Sequence, residues 1–163
     1  MITELSEAAI WAQLNTVKDP EIPVLNIVEM GMITHVQISD ENISITMTPT
    51  FVGCPAIQYI KKQICEAVQP LSDLPVKVIV DLETPWNSDR MTAESKEKLE
   101  KFGIAPPPVL EEELTAEMLD KVRCPHCKST DTTLRSSFGS TLCRAIRFCF
   151  SCKQGFEQFK PVA

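Results

Sequence analysis

No stretch of this 163-residue chain approaches the roughly 18–20 apolar residues of a membrane span. Its N-terminus, Met1-Ile2-Thr3-Glu4, lacks the basic flank and apolar stretch of an export signal, so a reducing, cytoplasmic location is expected. Also missing are a Ser-His-Asp set, a phosphate-cradling glycine loop and a dinucleotide fingerprint. Without a plausible acid/base pair, the chain does not read as an independent enzyme. Aromatic residues are only 6% of the chain, too few for an extended base-stacking surface.

What the chain does have is sulfur: seven cysteines, read as ligands or thiols, not disulfides. Four of them form two Cys-x-x-Cys pairs, Cys124/Cys127 and Cys149/Cys152, separated by a hairpin-length stretch. Each short pair clamps one edge of a tetrahedral ion, which is zinc-ribbon spacing. Zinc is favoured, though thiolate tetrahedra also accept iron. A segment of about 40 residues is too small to fold on its core alone, so metal binding and folding are expected to be one event. Cys143, a fifth cysteine in the module, reads as a buried small side chain on the hairpin, as an additional thiol near the metal, or as a surface contact for a partner. His126, inside the first knuckle, is a weaker ligand candidate.

Charge is divided unevenly. Residues 1–120 carry a balance of −12 and residues 121–163 one of +6, within a net −6. The body is therefore a poor ligand for nucleic acid, while the tail could meet an acidic partner or, as the alternative reading, a nucleic acid.

A 44% hydrophobic content supports one fair-sized core with a small satellite. Ser6 caps an expected helix over 6–17, and Asp19-Pro20-Glu21-Ile22-Pro23 cannot continue it. Alternation over 32–38 and 43–47 predicts a hairpin, with Met32, Thr34, Val36 and Ile38 on one parity and His35 on the solvent side. Ile57, Ile60, Ile64 and Val68 predict a helix beginning near Cys54-Pro55, and 76–82 a third strand. The fold class is α+β: a small α-β-β-α-β domain with one mixed sheet covered by helices, plus a C-terminal zinc-ribbon β module. Domains are expected at 1–105, including an extension 84–105 that packs back on the body. A proline/acidic linker, 106–120, contains Glu111-Glu112-Glu113 as a solvated face, and the ribbon is 121–163.

Cys54 sits at the expected helix N-terminus, where free N–H groups and the helix dipole favour a thiolate. That thiol suits metal or cluster transfer, or nucleophilic chemistry. Cys65, midway along the same helix, reads as core filler. Asp19 and Glu21 read as acids of a turn, or as carboxylates near Cys54 in a mixed hard/soft metal site.

Three segments together, Asp19-Pro20-Glu21-Ile22-Pro23-Val24, Glu29-Met30-Gly31-Met32-Ile33 and Thr48-Pro49-Thr50-Phe51-Val52-Gly53-Cys54-Pro55, resemble the SufT-like iron–sulfur assembly factors. Trp86-Asn87-Ser88-Asp89-Arg90-Met91, Gly103-Ile104-Ala105-Pro106-Pro107 and Phe138-Gly139-Ser140-Thr141-Leu142-Cys143-Arg144 narrow the resemblance to the PaaD (or PaaJ) family. Its members are accessory subunits of the bacterial phenylacetyl-CoA epoxidase system of phenylacetate catabolism. The resemblance covers nearly the whole chain. It implies a maturation role toward a di-iron monooxygenase whose reductase carries flavin and an iron–sulfur centre. Cys54 would be the family's reactive cysteine, Asp19 its loop acid, and Cys124, Cys127, Cys149 and Cys152 the ligands of a structural zinc. A transient iron or iron–sulfur cluster would be the cargo. Partners would be epoxidase or reductase subunits, with no membrane, and the chain could pair as a homodimer. Where the family often has Asp-Leu-Gly, this chain has Glu29-Met30-Gly31, which keeps the glycine and lengthens the acid.

Overall fold

The computed structural model describes residues 5–109 and 115–162; Glu111-Glu112-Glu113 lies outside them. The chain folds as two units, Met1–Trp86 and Asn87–Ala163.

In the first unit, α1 (Glu7–Leu14) is capped by Ser6, whose hydroxyl accepts the Ala9 N–H at 3.2 Å. It stops three residues short of Val17, because the chain turns at Asn15 and Val17 is already in an extended segment bonded to Ile27. Strands β1 (Ile33–Ile38) and β2 (Ile43–Met47) form the expected antiparallel hairpin, and β3 (Val76–Val80) joins β2 in parallel. The sheet order is β1-β2-β3, and it is mixed.

Alternation holds on β2, where Ile43, Ile45 and Met47 are fully buried. On β1 the register shifts between Ile33 and His35, so Ile33 and Val36 point inward and Thr34 faces solvent. A bulge adds one residue and flips the parity beyond it, which strict alternation cannot show. His35 is exposed, as its parity required. Helix α2 (Ile57–Val68) lays Ile60, Ile64 and Val68 against the core beside Ile10 and Leu14 of α1. Each fully buried aliphatic of this kind contributes about 1.5–3 kcal/mol of transfer free energy.

A closed turn follows α1. Asn26 Oδ1 accepts the N–H groups of Val28 and Glu29, and Glu29 Oε1 accepts the Asn26 N–H in return. Gly31 leaves the turn at φ 69°, where a glycine carries no steric cost. The Trp86 indole N–H donates to Met30 O at 2.9 Å and ties the end of the unit to this turn.

The second unit starts earlier than the sequence suggested. Helix α3 (Ala93–Phe102), capped by Thr92 and ended by Gly103 at φ 96°, leads into β4 (Ile104–Ala105). Strand β4 pairs in parallel with β7 (Gly155–Phe159), giving a four-stranded sheet in the order β4-β7-β6-β5 with β5 (Thr132–Ser136) and β6 (Arg144–Cys149). Ser88 reinforces this, donating its backbone N–H to Val162 O and accepting the Val162 N–H on Oγ. The segment expected to pack back on the body is therefore a strand partner of the ribbon. Two residues of β-structure carry too little periodicity to reveal their neighbour.

Candidate metal and thiol sites

Each knuckle is a tight turn closed by backbone bonds. The Lys128 N–H donates to Cys124 O at 2.9 Å and the Cys124 N–H to Ser129 O at 2.8 Å. In the second knuckle the Cys149 N–H donates to Gln154 O at 2.9 Å. Lys128 and Lys153, the residues just past the pairs, adopt φ 65° and 61°, reversing the chain so that both sulfurs of a pair face the same side. Pairing of Thr132 with Cys149 across β5 and β6 then brings the knuckles together. Ser129 and Ser151 hydroxyls bond at 2.7 Å between them.

The outcome is a four-sulfur cage. The Sγ atoms of Cys124, Cys127, Cys149 and Cys152 all lie within 4.8 Å of one another. Cys124–Cys152 and Cys127–Cys149 are 3.8 and 3.5 Å apart. A zinc ion about 2.3 Å from four tetrahedral sulfurs sets edges of roughly 3.8 Å, so the donor set fits that ion. Backbone N–H groups of Cys152, then Ser151, draw the Cys149 thiol down to about 7, while burial pushes Cys152 up to about 12. The core beneath is small: Ala105, Val122, Cys124, Cys149 and Phe156, with Cys152 packed on it. None of the seven cysteines forms a disulfide.

Cys143 stands apart from this cage. It precedes β6 while Cys149 ends it, six residues or roughly 20 Å along an extended strand. Its sulfur is buried and lies 3.0 Å from the Thr141 hydroxyl. The reading of Cys143 as an additional metal ligand is thus corrected, because strand length puts it at the opposite end of the hairpin. His126 is exposed and outside the cage.

Much of the ribbon's positive charge is paired with acids or buried. Glu100 on α3 receives Arg123 at 3.1 Å and Lys128 at 2.9 Å, and Lys121 pairs with Glu117. Arg144 pairs with Glu157 at 2.8 Å. Arg147 is 2% exposed; its Nε donates to Gln158 Oε1, and its Nη groups donate to the carbonyls of Leu119 and Asp120 at the end of α4 (Ala116–Asp120). Pairing thus offsets part of the +6 read along the chain, which weakens the support for a nucleic-acid face.

In the first unit Asp19 is buried, and its Oδ1 accepts the N–H groups of Glu21 and Ile22, each at 2.8 Å. Pro20 offers no N–H, so the carboxylate bridges over it and holds the loop rigid. The Asp19 N–H donates to Leu25 O, closing the loop from the other side. Cys54 sits three residues ahead of α2, half-buried, its carbonyl accepting the Ile57 N–H at 3.4 Å and its sulfur facing the N–H groups of Ala56 and Ile57 closely enough for them to favour the thiolate. Burial pushes the thiol above its usual value, and the carboxylates of Glu21 and Asp19 push the same way; the two N–H groups only partly oppose them. The expected thiolate is accordingly corrected to a thiol at neutral pH: the helix end is there, but burial and two nearby carboxylates outweigh it. Cys54, Asp19 and Glu21 are neighbours, yet among the described residues only the ribbon cysteines form a group close enough to share an ion as they stand. Cys65 is half-buried with its sulfur 4.0 Å from Val76 O, against β3.

Sequence reading missed Glu29's part in closing the 26–31 turn and Arg147's burial. The Asn-x-x-Glu spacing was a visible sign of the first; nothing along the chain marks one arginine of the ribbon as buried.

Residues 7–82 match the family model described as "Iron-sulfur cluster assembly protein", and residues 110–160 match "PaaD zinc beta ribbon domain". Over 153 residues the chain is 42% identical to a protein of Escherichia coli (strain K12) provisionally named as a subunit of 1,2-phenylacetyl-CoA epoxidase, covering 94% of this chain and 92% of that one. The chain belongs to the PaaD family. The chain is also 36% identical over 92 residues to an "Fe-S protein maturation auxiliary factor" of Porphyromonas gingivalis, covering 55% of this chain and 87% of that one. A crystal structure of a domain of unknown function, DUF59, from Bacillus anthracis superposes with a TM-score of 0.53 at 30% identity, over 57% of this chain and 90% of that chain. PaaD-family membership thus joins an iron–sulfur assembly fold to a zinc ribbon in one chain, and both halves are present here. Among the described residues no helix is long and apolar enough to cross a membrane.

Proposed function

We propose that this chain is a non-catalytic accessory factor for a multicomponent phenylacetyl-CoA epoxidase, helping to assemble an iron or iron–sulfur centre in the epoxidase or its reductase. The observation that carries the reading is the Cys54 thiol beside Asp19 and Glu21, in a domain shared with relatives named as maturation factors. One sulfur and two carboxylates are donors for iron, but they do not close around an ion in this conformation. Such an incomplete set suits brief custody, with the client supplying the remaining ligands. The ribbon zinc, held by Cys124, Cys127, Cys149 and Cys152, is structural: a closed four-thiolate site leaves no open position for chemistry.

The test is metal analysis of protein purified without oxygen, wild type beside Cys54→Ser. Zinc near one equivalent in both, iron in the wild type alone, and lower metal content or activity of a client matured with the variant are expected. Equal iron in both proteins, or a client indifferent to the variant, would sink the proposal. Turnover of phenylacetyl-CoA by the purified chain alone would make it an enzyme instead.

A further inference from the structure

One face of the ribbon sheet is left apolar, aromatic and cationic. Along β6, Arg147 and Ala145 turn inward, so Ile146 and Phe148 turn outward. Phe150, just beyond the strand, meets the Phe148 ring edge-on at 5.5 Å between centroids. Ile146 and Phe150 are each 40% exposed. On β5, the Arg135 guanidinium lies over both rings, 5.2 Å from the Phe148 centroid and 6.0 Å from that of Phe150.

Arg135 differs from the ribbon's ion-paired arginines. Arg123 and Arg144 end on carboxylates, whereas Arg135, among the described residues, faces only rings. A guanidinium stacked on aromatic faces keeps its N–H edge free and already oriented, so less conformational entropy is lost when a carboxylate pairs with it. Glu157, opposite Ile146 on β7, is held by Arg144 and by the Ser140 N–H and hydroxyl, and Asp131, whose carbonyl accepts the Phe150 N–H, forms no ion pair with Arg135 among the described residues. The missing anion must therefore come from elsewhere. Exposed phenylalanine and isoleucine around one oriented arginine is the composition of a protein–protein anchor, aromatic and arginine at the centre. A phosphate backbone is a worse match, since one free guanidinium cannot follow a line of charges and the whole chain carries net −6.

We infer that Arg135, Ile146, Phe148 and Phe150 form a docking surface for another protein, one presenting a carboxylate within an apolar patch. This rests on the accessory role proposed above and names the surface through which it is exercised. The carboxylate pairs with the Arg135 edge while the apolar residues cover Phe150 and Ile146.

The full-length, zinc-loaded chain is titrated by calorimetry against each purified protein of the epoxidase system in turn, beside R135E, R135K and F150S. Expected is binding of one such protein that R135E and F150S weaken at least tenfold, with R135K in between and salt weakening the wild type more than R135E. Zinc content and thermal midpoint of each variant, matched to wild type, separate lost docking from lost folding. Wild-type binding that R135E and F150S leave within twofold overturns the docking surface and leaves the assembly role standing. No binding to any of these proteins overturns both. Self-association abolished by R135E in sedimentation, or a single-stranded oligonucleotide retained by wild type and released by R135E, assigns the face to a second copy or to nucleic acid and likewise overturns the inference.

Discussion

The sulfurs of Cys127 and Cys149 lie 3.5 Å apart although the residues are 22 positions apart along the chain. Only the closing of the β5–β6 hairpin brings them there, and the small core beneath cannot hold that closure alone. Chelation at neutral pH should therefore abolish the ribbon's strands while α1, α2 and their sheet persist, seen as partial loss of circular dichroism. Replacing any one of Cys124, Cys127, Cys149 or Cys152 with serine should cut zinc below one equivalent. Cys143→Ser should leave it at wild type.

Cys54 should be a slow nucleophile near neutrality. Burial and the Glu21 and Asp19 carboxylates favour its neutral form, so the thiolate population appears only as pH rises past the usual thiol value of 9.0. Alkylation by iodoacetamide, followed by mass spectrometry of the Cys54 peptide, should climb steeply above that pH. Asp19→Asn keeps the Oδ1 acceptor for the Glu21 and Ile22 N–H groups but removes a negative charge. It should raise the rate at pH 8 roughly two- to fivefold, the effect of one weakened repulsion near a protein surface. An unchanged rate would place that carboxylate out of range.

Arg147 should matter more to the ribbon than any exposed cation. It donates to Gln158 Oε1 and to the last carbonyls of α4 from a position 2% exposed. Arg147→Leu leaves those acceptors unsatisfied, at about 1–3 kcal/mol for each one that stays buried. The expected readout is fast hydrogen exchange over 116–121 with zinc still bound. Slow exchange there would show that α4 is held by other contacts.

Glu100 carries a pH dependence of predictable sign. Its bond from Lys128, aided by Arg123, holds its carboxyl below the usual value of 4.5. A depressed folded value means the stabilisation is complete above the unfolded value and is lost as pH falls through the folded one. Glu100→Gln should cost about 0.5–1 kcal/mol at pH 7, a modest figure because the pair faces water. The difference from wild type should be constant from pH 8 to 6 and shrink below 4.5, as followed by denaturant midpoints.

Much of this protein follows from local rules. Cys-x-x-Cys spacing, the Ser6 cap, the stripe Ile60-Ile64-Val68 and the alternation Ile43-Ile45-Met47 each depend on residues a few positions apart, so they are visible before folding. The bulge at Ile33–His35, the docking of β4 on β7, the burial of Arg147 and the state of the Cys54 thiol are different in kind. Each depends on what a distant segment brings alongside: a strand edge, two helix-end carbonyls, a pair of carboxylates across a loop. Charge shows the division most plainly. Its sum belongs to the chain, but which cations reach solvent, and that Arg135 rests on the Phe148 and Phe150 rings, is decided by tertiary packing, because burial and pairing are properties of neighbours in space.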